Sequence, residues 1–237
     1  MLAVHKGLAY NISMTDILHA NAATIDWHEN AFDILRGAAA YTSSPLIKGL
    51  SRAIIRHPEA DLGNAFNHKQ VTCKIWARQS LFETFGGKFN RIAILGGWYG
   101  VLAAMFFEDQ RFDIEAIDSF DIDPEVGAVA ETLNSAWKHR FRALTADMYE
   151  LAYPGLGADL IVNTSCEHIA DLPAWLSLLP EGTRVLLQSN DYFSEPTHVN
   201  CVASLNEFID QVSLTMTAFA GALPMKKYTR YMLIGTV

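Results

Sequence analysis

The sequence is poor in cysteine, in charge and in basic residues. Three cysteines in 237 residues, Cys73, Cys166 and Cys201, are too few and too scattered for a disulfide framework, and no CxxC pair suggests a zinc site. Only 19% of the residues are charged while 50% are hydrophobic, which excludes a disordered or fibrous chain. Eighteen Lys and Arg stand against 26 Asp and Glu, a net charge of −8. That acidic surplus repels phosphate backbones and anionic lipid, so nucleic acid and membrane are poor partners. Near the N-terminus there is no apolar run long enough for a signal peptide or a membrane span, and the expectation is a soluble, cytoplasmic protein. No internal repeat or low-complexity tract is present.

What is present changes character near residue 88. Before it, apolar residues recur at helical spacing: Ile17, Leu18, Ile25, Phe32, Ile34 and Leu35, then Leu46, Leu50, Ile54 and Ile55. A third stretch runs Val71, Ile75, Leu81, Phe82 and Phe85 and stops at Gly86-Gly87, with Pro58 to Asn67 as a loop before it. From Phe89 onward, short apolar runs (91–95, 114–120, 159–163, 184–189 and 231–236) alternate with amphipathic stretches at 101–109, 125–138, 171–179 and 203–211. Near-continuous apolar strands separated by helices imply a doubly wound α/β domain, its parallel sheet covered on both faces. Residues 1–88 are therefore expected to form an N-terminal helical cap region, and 89–237 the α/β domain.

The run 91–95 leads straight into Gly96-Gly97-Trp98-Tyr99-Gly100, after which Val101 to Phe107 starts a helix. Glycines at such a turn let a ligand approach the peptide N–H groups at the helix N-terminus. The dinucleotide fingerprint G-x-G-x-x-G is absent, which argues against a nicotinamide enzyme. The turn resembles instead the shorter G-x-G-x-G element of class I S-adenosylmethionine-dependent methyltransferases, with Gly96 and Gly100 at its outer positions. Trp98 takes the place of the middle glycine, and Ile94 that of the acidic residue two positions before the first.

Twenty-one residues beyond Gly100, Asp121 stands in the segment Phe120-Asp121-Ile122-Asp123-Pro124-Glu125. A carboxylate at the tip of a second strand accepts the hydroxyl hydrogens of a ribose, and the position between strand end and helix start favours Asp121 over Asp118 or Asp123. The resemblance continues through Leu144 to Met148, similar to the third-strand segment that meets adenine through an aspartate (here Asp147) and the following backbone N–H (here Met148). It covers about residues 70–237 and implies a Rossmann-like fold with a mostly parallel, seven-stranded sheet, and S-adenosyl-L-methionine as cofactor. Its cofactor contacts would be Gly96, Gly97, Trp98, Tyr99, Gly100, Asp121, Ile122, Asp147, Met148 and Asn163.

The acceptor side is expected beyond the later strands. Asn163, Glu167 and His168 follow the fourth, and Asp191 and Tyr192 the fifth; these five are the candidates for orienting or deprotonating an acceptor. Asn163 is favoured because a polar side chain at a strand tip has few structural duties. Asn190, His198 and Asn200 add hydrogen-bonding capacity, Tyr228 and Arg230 suit a carboxylate or phosphate, and Lys69 and Gln70 are possible cofactor contacts. Cys166 is a small buried residue rather than a nucleophile. The spacing of Cys166, His168 and His198 is not diagnostic of a metal, and no metal ligand is assigned. The reading is a methyltransferase acting on a small polar metabolite, amino-acid-like or carboxylate-bearing, with a homodimer plausible. Two rivals stay open: transfer of an aminopropyl or aminocarboxypropyl group from the same sulfonium, and a binding module that has lost activity.

Overall fold

The computed structural model describes residues 27–237, so Ile17, Leu18 and Ile25 of the first apolar stripe lie outside the described residues. Four helices come first: α1 (Trp27–Thr42), α2 (Pro45–Arg56), α3 (Leu62–Ala65) and α4 (His68–Phe85). Their starts follow the local chemistry. Ser44, Asp61 and Asn67 each accept a hydrogen bond from a backbone N–H three residues on, and Pro45 occupies the first turn of α2. Helix α4 ends at Gly86, whose φ of +74° is open to glycine without strain. The expected loop at 58–67 thus contains one short helix, capped by Asp61.

The alternating part follows as β1 (Lys88–Leu95), α5 (Val101–Glu108), β2 (Asp113–Asp121), α6 (Val126–Leu133), β3 (Phe141–Thr145), α7 (Tyr153–Leu156), β4 (Leu160–Asn163), α8 (Leu172–Leu176), β5 (Arg184–Asn190), α9 (Leu205–Val212), β6 (Met216–Pro224) and β7 (Thr229–Thr236). The seven strands form one sheet in the order β3-β2-β1-β4-β5-β7-β6, and β7 is antiparallel to both its neighbours. The expected doubly wound, mostly parallel seven-stranded sheet is present. Two elements depart from the apolar runs. Helix α6 stops at Leu133 because Asn134 turns its buried amide onto the carbonyls of Gly100 and Ala130. Strand β6 was not among the expected runs: its Ala-rich sequence holds a single β-branched residue, Thr217, and it lies at the sheet edge with one side exposed.

Alternation along each strand feeds two cores. Ile92, Ile94, Val162 and Ile234 pack with Ala77 and Leu81 of α4 and with Leu102 and Phe106 of α5. On the opposite face Ala93, Leu95, Ile161 and Leu187 pack with Trp175 of α8 and Phe208 of α9. A third cluster joins Leu46, Leu50 and Ala53 of α2 to Met105 of α5 and to Val129 and Leu133 of α6. The early helices are thereby packed on the outside of the βαβ units. Among the described residues no helix is long and apolar enough to cross a membrane.

One glycine makes the α2–α6 contact possible. A Cβ at Gly49 would lie 2.0 Å from the carbonyl oxygen of Leu133, whereas at Gly37, exposed on α1, nothing lies within 4 Å. Gly49→Ala should therefore force the two helices apart and destabilise by about 1–3 kcal/mol. Gly37→Ala should stabilise by up to ~1 kcal/mol through helix propensity alone. Thermal unfolding of the two variants should shift in opposite directions; a shift in the same direction would contradict the close approach of α2 and α6.

Candidate functional site

Chain reversal in the strand order falls between β1 and β4, and there the connections diverge to opposite faces and leave a crevice at the strand ends. A cavity of about 610 Å³ occupies it. Its wall comes from the turn after β1, the tip of β2, the segments after β4 and β5, the start of β7, and the N-terminal half of α4. That volume lies in the range of small-molecule sites.

One end is built on the glycine turn. The Asp121 carboxylate accepts the N–H of Trp98 at 2.8 Å and that of Asp123 at 3.1 Å. Four lone-pair sites on a carboxylate leave it capacity for further donors. Trp98 has φ +48°, the left-handed conformation the missing middle glycine would adopt freely. Its ring stacks on Tyr99 at 5.0 Å and 27°, and Tyr99 Oη accepts the N–H of Asp61, so the turn is tied to the segment that opens α3. Gly97 is required by packing, since a Cβ there would meet the Ser119 hydroxyl at 1.9 Å, and Gly100 has φ +70°.

The other end is a buried polar group. Glu167 sits in a single turn of 3-10 helix, Cys166–His168, directly after β4 and is 2% exposed. Its Oε1 accepts Nδ2 of Asn190 at 2.7 Å and Nη1 of Arg230 at 2.8 Å. Asn190 and Arg230 are register partners on β5 and β7, so their side chains leave the sheet on the same face. Burial works most strongly against the Arg230 charge, but the Glu167 carboxylate, Cys73 and Tyr228 together outweigh it, and the pKa rises above its ordinary value. Lys74 on α4 donates to Gln70 at 2.7 Å; burial, and then the nearby Arg230 charge, lowers its pKa to about 8. Tyr192, tilted against Tyr228 at 5.6 Å, and His198 complete this end.

The expected site residues divide. Gly96, Gly97, Trp98, Tyr99, Asp121, Glu167, His168 and Tyr192 line the one cavity, as do Lys69 and Gln70. Gly100, Ile122, Asp147, Met148, Asn163 and Asp191 are not part of its lining. Ile122 is 70% exposed. Asp147 accepts the Tyr149 N–H, and Met148 offers its sulfur to Asn163 at 3.8 Å. Asp191 holds the Thr229 N–H and the Tyr231 hydroxyl, joining the end of β5 to β7. Asn163 does have a structural duty, contrary to the reason for favouring it: 2% exposed, it accepts the Ser165 N–H at 2.9 Å and shapes the turn that presents Glu167. Asp118 pairs with Arg91 and Arg142 in mid-sheet. Burial raises its pKa, and the two guanidinium groups bring it down further than that. Sequence reasoning missed Asn64, Glu195 and Thr197 of the lining and, among its cations, Lys74. For Lys74, its position four residues after Gln70, on the same helical face, was the available signal.

No protein-family model matches the sequence, and no curated protein matches it. Solved structures do match in fold. The N-methyltransferase NodS from Bradyrhizobium japonicum WM9 aligns with TM-score 0.57 and 11% identity over 73% of this chain and 98% of that one. The same enzyme crystallised with S-adenosyl-L-homocysteine gives TM-score 0.55, again at 11% identity, over 72% of this chain and 89% of that one. The N-terminal domain of EvdMO1, with S-adenosylhomocysteine bound, aligns with TM-score 0.54 and 13% identity over 75% and 85% of the two chains. The chain has the fold of the class I S-adenosylmethionine-dependent methyltransferases.

Two outcomes follow from the buried charges. Arg230→Met strands the Glu167 carboxylate and should cost about 3–5 kcal/mol; adding Glu167→Gln should recover much of that loss in thermal unfolding. Full additivity of the two substitutions would mean that the pair is not coupled. Lys74 has a folded pKa of about 8, below the ordinary lysine value of 10.5. Between those values the unfolded chain holds the proton more tightly, so Lys74 makes stability rise with pH across that window. Lys74→Met should remove this part of the rise, and an unchanged slope would contradict the lowered pKa.

Proposed function

We propose that the chain is an S-adenosylmethionine-dependent methyltransferase whose acceptor is a small polar metabolite bearing a carboxylate or similar anion. The observation that carries this reading is a single cavity with a carboxylate acceptor at one end, Asp121, and two cations at the other, the buried Arg230 and the half-buried Lys74. The fit of the cofactor rests on the chain's own atoms. Asp121 retains lone pairs for two ribose hydroxyls, and the turn at Gly96 and Gly97 carries no side chain between backbone and cavity. When bound, the cofactor supplies an electrophilic methyl group on a sulfonium.

The chain's part is positioning and exclusion of water. Arg230 and Lys74 hold the anionic group of the acceptor, and Asn190 keeps the Glu167 carboxylate in place beneath it. Tyr192 and Tyr228 wall the Arg230 end. His198 lines the same end, its pKa lowered chiefly by burial. The acidic net charge of −8 favours a small acceptor over nucleic acid.

Calorimetry with S-adenosylmethionine tests the cofactor: a dissociation constant between about 1 μM and 1 mM is expected, the span of ordinary enzyme substrates. Asp121→Asn should weaken it by roughly 10–100-fold, the worth of a charged hydrogen bond. Because Asp121 also holds the Trp98 N–H, the variant's melting temperature is measured alongside. Absence of binding at several millimolar would sink the reading. Transfer of labelled methyl to a panel of amino and hydroxy acids, compared with their esters, tests the acceptor. The free acids should be preferred, and Arg230→Met should erase that preference.

A further inference from the structure

Beside Arg230, the cavity holds an arrangement that methyl transfer does not itself require. Glu167, His168 and His198 each bring one metal-binding atom within 4.8 Å of the others. The two rings stand edge to face, 4.7 Å between centroids. Each is fixed from behind: His168 Nδ1 lies 2.9 Å from the Thr197 carbonyl, and His198 Nδ1 lies 3.1 Å from the Tyr192 carbonyl. A carbonyl only accepts, so Nδ1 carries the proton in both rings and each Nε2 is left as a lone pair. This is the outer-sphere arrangement that orients ligating histidines.

The carboxylate is held in the same manner. Oε1 of Glu167 takes both the Asn190 and the Arg230 protons, while Oε2 is buried with no hydrogen-bond partner. His198 Nε2 lies 4.0 Å from Oε1, too far for a hydrogen bond. A water molecule has two hydrogens and can satisfy at most two of these three acceptors. A divalent cation satisfies all three.

We propose that Glu167, His168 and His198 form a divalent transition-metal site at the acceptor end of the cavity. Two imidazoles beside one carboxylate favour first-row ions, Fe²⁺, Co²⁺ and Zn²⁺ above Mn²⁺, over Mg²⁺ or Ca²⁺. Bonds of about 2.0–2.2 Å require the ligand atoms to draw together by roughly 1 Å, which the exposed His168 can supply. The three protein ligands leave positions open toward the cavity. Glu167 and Arg230 cancel in charge, so the bound ion keeps its full positive charge and favours an anionic oxygen as a further ligand. That last step rests on the function proposed above; the site itself does not.

The test is metal binding without cofactor or acceptor. The EDTA-treated full chain is titrated near neutral pH with Co²⁺, followed by visible d–d absorption, and with Mn²⁺, followed by electron paramagnetic resonance. One ion per chain is expected. His168→Ala, His198→Ala and Glu167→Gln should each weaken binding at least about tenfold. His57→Ala and His139→Ala, outside the cavity, should leave it unchanged. His168 is exposed, so its variant tests the site even if replacement of the buried Glu167 unfolds the chain. Absence of protein-dependent spectra at millimolar metal, or spectra unchanged in both cavity histidine variants, would overturn the proposal. Neither outcome bears on whether S-adenosylmethionine binds, so the two readings can fail separately.

Discussion

The architecture of the acceptor end depends on one buried carboxylate. Glu167 emerges from the turn after β4 into a space almost closed to solvent, where an unpaired charge is costly. It is held by groups from two other strands, Asn190 at the end of β5 and Arg230 at the start of β7. The antiparallel insertion of β7 is what makes this possible. It brings the N-terminal end of that strand to the same edge as the carboxyl ends of the parallel strands. Asn163 shapes the turn, Asp191 ties β5 to β7, and the Glu167 backbone carbonyl accepts the Asn200 N–H. The loop carrying Tyr192 and His198 is therefore anchored to the same carboxylate-bearing residue.

At the opposite end the departure from a glycine-rich turn is compensated locally. A non-glycine residue in the left-handed region costs roughly 1–2 kcal/mol. Trp98 offsets it through its N–H on a carboxylate, worth about 1.5–3 kcal/mol, and through a stacked ring worth about 0.5–1.5 kcal/mol. The turn keeps its conformation without the glycine. The same ring packs against the cluster that contains α2, α5 and α6, which couples the early helices to the wall of the cavity.

The glycine turn, Asp121 and most of the sheet were legible in the sequence because their signals are local: an apolar run, a turn composition, a carboxylate at a fixed distance. The acceptor end was legible only in part. Lys74, Glu167, Asn190 and Arg230 come from four separate segments, and no local pattern joins them. Neighbouring residues at a strand end also point in opposite directions. Asn190 enters the cavity while Asp191 serves the backbone of β7, and sequence alone does not supply that phase. Strand β6 escaped for a third reason: small residues at an exposed edge carry neither helical nor strand character.

The two ends of the cavity differ in sign, and this bears on orientation as much as on affinity. Asp121 is an acceptor with spare lone pairs, suited to hydroxyl donors. The Arg230 end carries a permanent guanidinium and an ammonium poised near neutrality, with one carboxylate between them. A neutral polyol gains at the first end and an anion at the second. Exchanging the two would set an anion against Asp121 and leave the cations uncompensated, contacts that cost more beside buried groups than in water. On the function proposed above, this charge placement would align two ligands head to tail, the condition that in-line transfer between them requires.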